Sequence, residues 1–190
     1  SGVAAGVKRM GRLSDRNRHT VVYLRENICV VVSFGGAGMI SKKGVELIKS
    51  FEGFAPLEYT CVAGKRTIGY GHVLGPEEKY VCGVCEREAE RLLKQDLDIA
   101  EKAVEKLVEV PLSDCQKDAL VSFVFNVGIR AFQKSTLLKE LNAGRYDRVP
   151  RQLQRWIYVN GRPCGGLIRR RQAEAALFAK PAGRKRPVFL

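Results

Sequence analysis

A chain of 190 residues has room for one compact domain with a core, or for a domain plus a tail. Its 45% hydrophobic and 28% charged residues are the composition of a soluble globular protein. The six cysteines (29, 61, 82, 85, 115 and 164) are spread too widely for a small disulfide-stapled domain, and their pairing cannot be read from spacing. The net charge of +13 is uneven: +4 over residues 1–40, −1 over 41–144 and +10 over 145–190. Basic ends of this kind favour polyanions.

Residues 1–26 are basic and show no apolar period. Residues 27–40, "NICVVVSFGGAGMI", are apolar and uncharged, but fourteen residues fall short of the roughly twenty that span a bilayer as a helix. A basic leader precedes them without a clear small-residue cleavage site. Residues 1–40 therefore read as a basic and apolar extension, either disordered or weakly membrane-tethering. From Ser41 the signals sharpen. Ser41 caps "KKGVELIKSFEG", whose Val45, Leu47, Ile48 and Phe51 make one helical face, and Glu52 lies at its end, with a break expected at Pro56. Residues 57–73 hold short β-type runs split by Gly64, Gly69 and Gly71. A long helix follows from Cys85 towards Pro111. "SDCQKDALVSFVFNVG" opens with a Ser113/Gln116 capping box and is nearly all apolar within, which predicts a buried central helix ending at Gly128. "STLLKELNAG", "RVPRQLQRWIYV" and "GGLIRRRQAEAALFAK" supply three further helices, and residues 181–190 form a basic tail. The expected fold is α+β: a small β-hairpin lobe and a larger, mainly helical lobe with a cleft between them.

Cleaving a glycosidic bond takes a proton donor to the leaving oxygen and a nucleophile or activated water at the anomeric carbon. A glutamic acid at a helix end facing a cleft can be kept protonated by desolvation, which suits Glu52 to the first role. Across the cleft, Cys61 and Thr67 on a hairpin can hold a water. Singly, each has an ordinary reading: a solvated helix end, a small core residue, a strand former. "CGVC" at 82–85 resembles half a metal site, but only His19 and His72 could complete it, so no metal and no cofactor are expected.

The Glu52–Cys61–Thr67 spacing followed by "IGYGH" resembles the motif of the phage-type lysozymes, or endolysins, of glycoside hydrolase family twenty-four. In most members the middle position is Asp; a branch carries Cys, as here. "FEGF", "QKDALVSFVFNVG", "KSTLLKELNAG" and "GGLIRRRQAEAALF" follow in the family's order over residues 41 to about 180. The resemblance implies a lysozyme-like catalytic domain over 41–180. It implies cleavage of the β-1,4 bond between N-acetylmuramic acid and N-acetylglucosamine in peptidoglycan, with an inverting outcome. By motif position it makes Glu52 the general acid, with Cys61 and Thr67 positioning the water. A thiol of ordinary pKa, about 8.5, is mostly neutral at pH 7. Either Lys65 and Arg66 promote its ionisation, or Cys61 only aligns water.

Gln116 and Asn126 match polar positions of the family's central helix and would line the sugar site, or else serve as a cap and a core hydrogen bond. Tyr70 and His72 lie in the hairpin as further substrate-binding candidates or as structural residues. Arg169 or Arg170 would hold Glu52, or pair with Glu174 on their own helix. Peptidoglycan is the expected partner of a monomer. The basic ends would meet anionic cell-envelope polymers, residues 27–40 would make transient membrane contact, and nucleic acid is not expected. The enzyme would be made in the host cytoplasm and act on the wall from the periplasm or outside. The competing readings are a non-catalytic polyanion binder and a membrane-active module on the same fold. A Cys29–Cys61 disulfide would add a thiol switch.

Overall fold

The computed structural model describes residues 9–15, 18–25, 28–34, 40–61 and 64–181, with side chains described from residue 40 onward. The chain divides into two units, residues 1–39 and 40–190. In the first, β1 (Arg9–Asp15), β2 (Arg18–Arg25) and β3 (Ile28–Phe34) form an antiparallel meander. Val21 pairs with Val32, Val22 with Val31 and Leu24 with Cys29. The β-branched runs "VVYL" and "CVVVSF" supply the strand preference.

The second unit begins with α1 (Lys42–Glu52). Ser41 caps it, its Oγ accepting from the Gly44 N–H at 3.2 Å. The same residue is tied to the central helix: its N–H donates to Asp118 Oδ1 at 2.9 Å and its hydroxyl to Oδ2 at 2.5 Å. Gly44 makes this approach possible, since a Cβ there would lie 2.7 Å from Ile40 Cγ1 and 2.8 Å from Asp118 Cγ. The helix ends because Gly53 takes φ 70°, three residues before the break expected at Pro56, which sits inside a strand.

The small sheet orders β4 (Ala55–Thr60), β5 (Arg66–Gly69) and β6 (His72–Val73), all antiparallel. It packs on α2 (Glu86–Leu107), whose Ala89, Leu92, Leu93, Leu97, Ala100 and Val104 face the core. The central helix α3 (Asp114–Val127) carries the capping box expected from Ser113 and Gln116 and is buried without a break from Asp118 to Val124. It contacts α1, α2 and the last helix. Short helices α4 (Ile129–Gln133) and α5 (Thr136–Asn142) follow.

The segment "RVPRQLQRWIYV" is not one helix. A 3-10 turn (Tyr146–Arg148) leads into α6 (Val149–Leu153), and the chain then forms a hairpin of β7 (Tyr158–Val159) and β8 (Arg162–Pro163). Asn160 and Gly161, at φ 50° and 75°, make its tight turn. Trp156 is drawn inward instead, packing edge-on against Phe123 with ring centres 5.4 Å apart. α7 (Gly165–Phe178) closes the fold. The second unit is thus α+β, a small antiparallel sheet beside a mainly helical lobe.

Candidate active site

A cleft of about 390 Å³ opens where the sheet meets the helices, and its walls include Glu52, Gly71, Asp96, Ile99, Asn126 and Ile129. Glu52 is the last residue of α1 and its side chain is 21% exposed. The buried Arg170 donates from Nη1 to its Oε1. Gly71 faces the other oxygen: a Cβ there would come within 3.2 Å of Oε2. One carboxylate oxygen is therefore anchored, while the other lies beside a position where any side chain would crowd it.

Cys61 begins the turn between β4 and β5. Its N–H donates to the Lys65 carbonyl at 2.9 Å and its carbonyl accepts from Gly64 at 2.8 Å. Thr67 is 2% exposed, and its hydroxyl donates to the same Lys65 carbonyl at 3.0 Å, so its hydrogen is committed and its lone pairs are left to accept. Neither Cys61 nor Thr67 lines the cleft. Tyr59 pairs directly with Thr67 across the sheet, so these two side chains share one face, and Cys61 follows at the end of the strand. Desolvation pushes the Tyr59 phenol up, and the Glu52 charge pushes it further, so Tyr59 presents a neutral O–H group. Arg66 is engaged elsewhere: it grips Glu58 at 2.5 and 2.9 Å and donates to the Glu78 carbonyl at 3.1 Å.

The other sequence candidates separate. Asn126 lines the cleft. Tyr70 is buried, its hydroxyl donating to Glu86 at 2.7 Å under the Lys49 ammonium. His72 is bracketed by Asp96, 2.8 Å from Nδ1, and Glu78, 3.5 Å from Nε2; it reaches the cleft only through Asp96, whose carboxyl burial pushes up. Gln116 closes the capping box at the other end of α3 from Asn126. Arg169 is exposed, whereas Arg170 holds both Glu52 and, at 3.2 Å, Glu174. Cys82 and Cys85 are free, exposed thiols. The side chain of Cys29 and residues 182–190 lie outside the described residues.

A family model described as phage lysozyme matches residues 49–174, about two thirds of the chain. The chain belongs to the phage lysozyme family. It is 43% identical over 143 residues to the endolysin of Acyrthosiphon pisum secondary endosymbiont phage 1, covering 73% of this chain and 97% of that one. It is 37% identical over 151 residues to the SAR-endolysin of Escherichia phage Mu, covering 80% and 87%. Among solved structures, the muramidase domain of SpmX from Asticaccaulis excentricus superposes with a TM-score of 0.68 at 42% identity, covering 75% of this chain and 98% of that one. The fold is accordingly lysozyme-like. The protein is a phage lysozyme, a glycoside hydrolase that degrades the peptidoglycan of the cell wall for host lysis.

Sequence reasoning missed the buried support of this lysozyme cleft. Arg171 and Glu174 are wholly buried, 2.9 Å apart, and the Arg171 guanidinium lies 4.8 Å over the Phe123 ring. Burial pulls Arg171 down to about 10, so it is still a cation at neutral pH. Burial pushes the Glu174 carboxyl up, while Arg171, Arg170 and the Ser122 hydroxyl, at 2.7 Å, oppose that shift. The signal was the spacing, Glu174 at three and four residues from two adjacent arginines in a helix otherwise rich in Ala and Leu.

Proposed function

We propose that the lysozyme cleaves the β-1,4 bond between N-acetylmuramic acid and N-acetylglucosamine, with Glu52 protonating the leaving oxygen. The observation that carries this reading is the Glu52 carboxyl group at the cleft wall, held on one oxygen by Arg170 and facing Gly71 with the other. Cys61 and Thr67 position the attacking water from the β lobe. Thr67 offers lone pairs because its hydrogen is spent on Lys65, and Tyr59 adds a neutral hydroxyl on the same face.

The strongly basic residues 145–190 support contact with anionic envelope polymers: Arg151, Arg155, Arg162 and Arg169 are exposed. Transient membrane contact is assigned to residues 27–40 on their apolar composition; no helix among the described residues is long and apolar enough to cross a membrane. The site of action is the wall, reached from the periplasm or the outside. Turbidity loss of purified peptidoglycan, with muropeptides identified by mass spectrometry, tests the mechanism. Glu52→Gln keeps the shape and removes the proton, so activity should fall by about a hundredfold or more. Near wild-type turnover would overturn the assignment.

A further inference from the structure

Asn126 is an exposed residue at the end of α3 and on the cleft wall, yet its side chain is not free to turn. The wholly buried Arg171 donates from Nη2 to Asn126 Oδ1. A guanidinium has donors and no acceptor, so flipping the amide would set N–H against N–H. Arg171 is in turn fixed by Glu174 on one side and Phe123 on another, and Glu174 by Ser122 and Arg170. This buried chain fixes which atom of the amide points inward. Oδ1 faces the protein, and Nδ2 with its two hydrogens is left for the cleft.

Besides Glu52 and Asp96, the cavity that holds this amide is lined by the apolar Ile99, Val124, Phe125 and Ile129. A pair of N–H donors beside an apolar wall complements a group that carries an acceptor oxygen and a methyl on one carbon. Among the groups on a peptidoglycan sugar, the acetamido group has that character and a hydroxyl does not. We propose that Asn126 determines specificity for N-acetylated glycan by donating from Nδ2 to an acetamido carbonyl, with Arg171 as the positioning residue that holds the amide in that sense. This rests on the cleft being the glycan site proposed above.

The test compares kcat/KM on intact and on de-N-acetylated peptidoglycan at fixed ionic strength, for wild type, Asn126→Asp, Asn126→Ala and Arg171→Gln. A carboxylate at position 126 still accepts from Arg171 but has no N–H to give. Asn126→Asp should therefore keep its melting temperature while its preference for intact glycan falls by about fivefold to tenfold, the scale of one lost hydrogen bond. Asn126→Ala should lose a similar factor without adding charge. Arg171→Gln, if it folds, should lower the preference too; a purely structural role would lower its melting temperature and leave the preference unchanged. A wild type that does not discriminate, or a preference unchanged in both Asn126 variants, would overturn the proposal. Inactivity of Glu52→Gln alongside an unchanged preference would overturn this assignment alone and leave the role of the acid standing.

Discussion

Replacing Arg170 with methionine preserves most of the side-chain volume and its packing beside the Phe51 ring, which lies 5.5 Å from the guanidinium, while removing the charge. Three contacts go: Glu52, Glu174 at 3.2 Å and the Ser122 carbonyl at 3.2 Å. They are unequal. Glu174 is wholly buried and keeps Arg171 and the Ser122 hydroxyl, so losing one of its two cations should cost about 3 kcal/mol. Glu52 is partly solvated, and its share should be about 0.5–1 kcal/mol. The total of about 4 kcal/mol corresponds to a fall of about 10 °C in Tm for a domain of this size. Denaturant unfolding followed by Trp156, the single tryptophan, reports on this lobe directly through its contact with Phe123. Repeating the substitution in a Glu52→Gln background should change its cost by less than about 1 kcal/mol. A total loss below about 1 kcal/mol, or a loss that vanishes in that background, would refute the ranking of Glu174 above Glu52.

If Cys61 aligns the attacking water, Cys61→Asp should remain active in the turbidity assay and resist thiol-blocking reagents, while Cys61→Ala should lose most activity. Full turnover in Cys61→Ala would remove the residue from the mechanism. Gly44→Ala should force Ile40 and Asp118 away from α1, since the new methyl would sit 2.7–2.9 Å from their atoms, at a cost of about 1–3 kcal/mol. An unchanged unfolding midpoint would show that the approach is not tight.

What could be read from the chain was what is decided within a few residues. Ser41, Ser113 with Gln116, and the closing Gly128 act on backbone groups of their own turn, so the start of α1 and both ends of α3 were legible, whereas the end of α1 was placed at Pro56 and falls at Gly53. Glu52 at a helix end and Thr67 on the following sheet were legible because both placements are decided locally, within sixteen residues of chain. The helix expected over residues 148–159 failed on tertiary grounds: Trp156 is held by Phe123, and the Asn160–Gly161 turn, a strong local hairpin signal, went unused. Arg171 with Asn126, and Asp118 with Ser41, were beyond reach because 45 and 77 residues separate the partners and no periodicity links them. Of two adjacent arginines, only packing could choose which would face Glu52.

The clamp between Ser41 and Asp118 also bears on the order in which the enzyme comes together. α1 precedes the sheet in the chain but belongs to the helical lobe, so its N-terminus must close a loop of 77 residues before it docks. The Glu52–Arg170 pair at its other end spans 118 residues. On the logarithmic scaling of loop entropy, the longer closure costs only about 0.4 kcal/mol more than the shorter one. α1 is a rigid rod of eleven residues, about 16 Å long, so pinning its first turn also carries its last turn towards α7. Glu52 is thus brought to Arg170 by the docking of a whole helix, and the acid needs no separate search to find its partner.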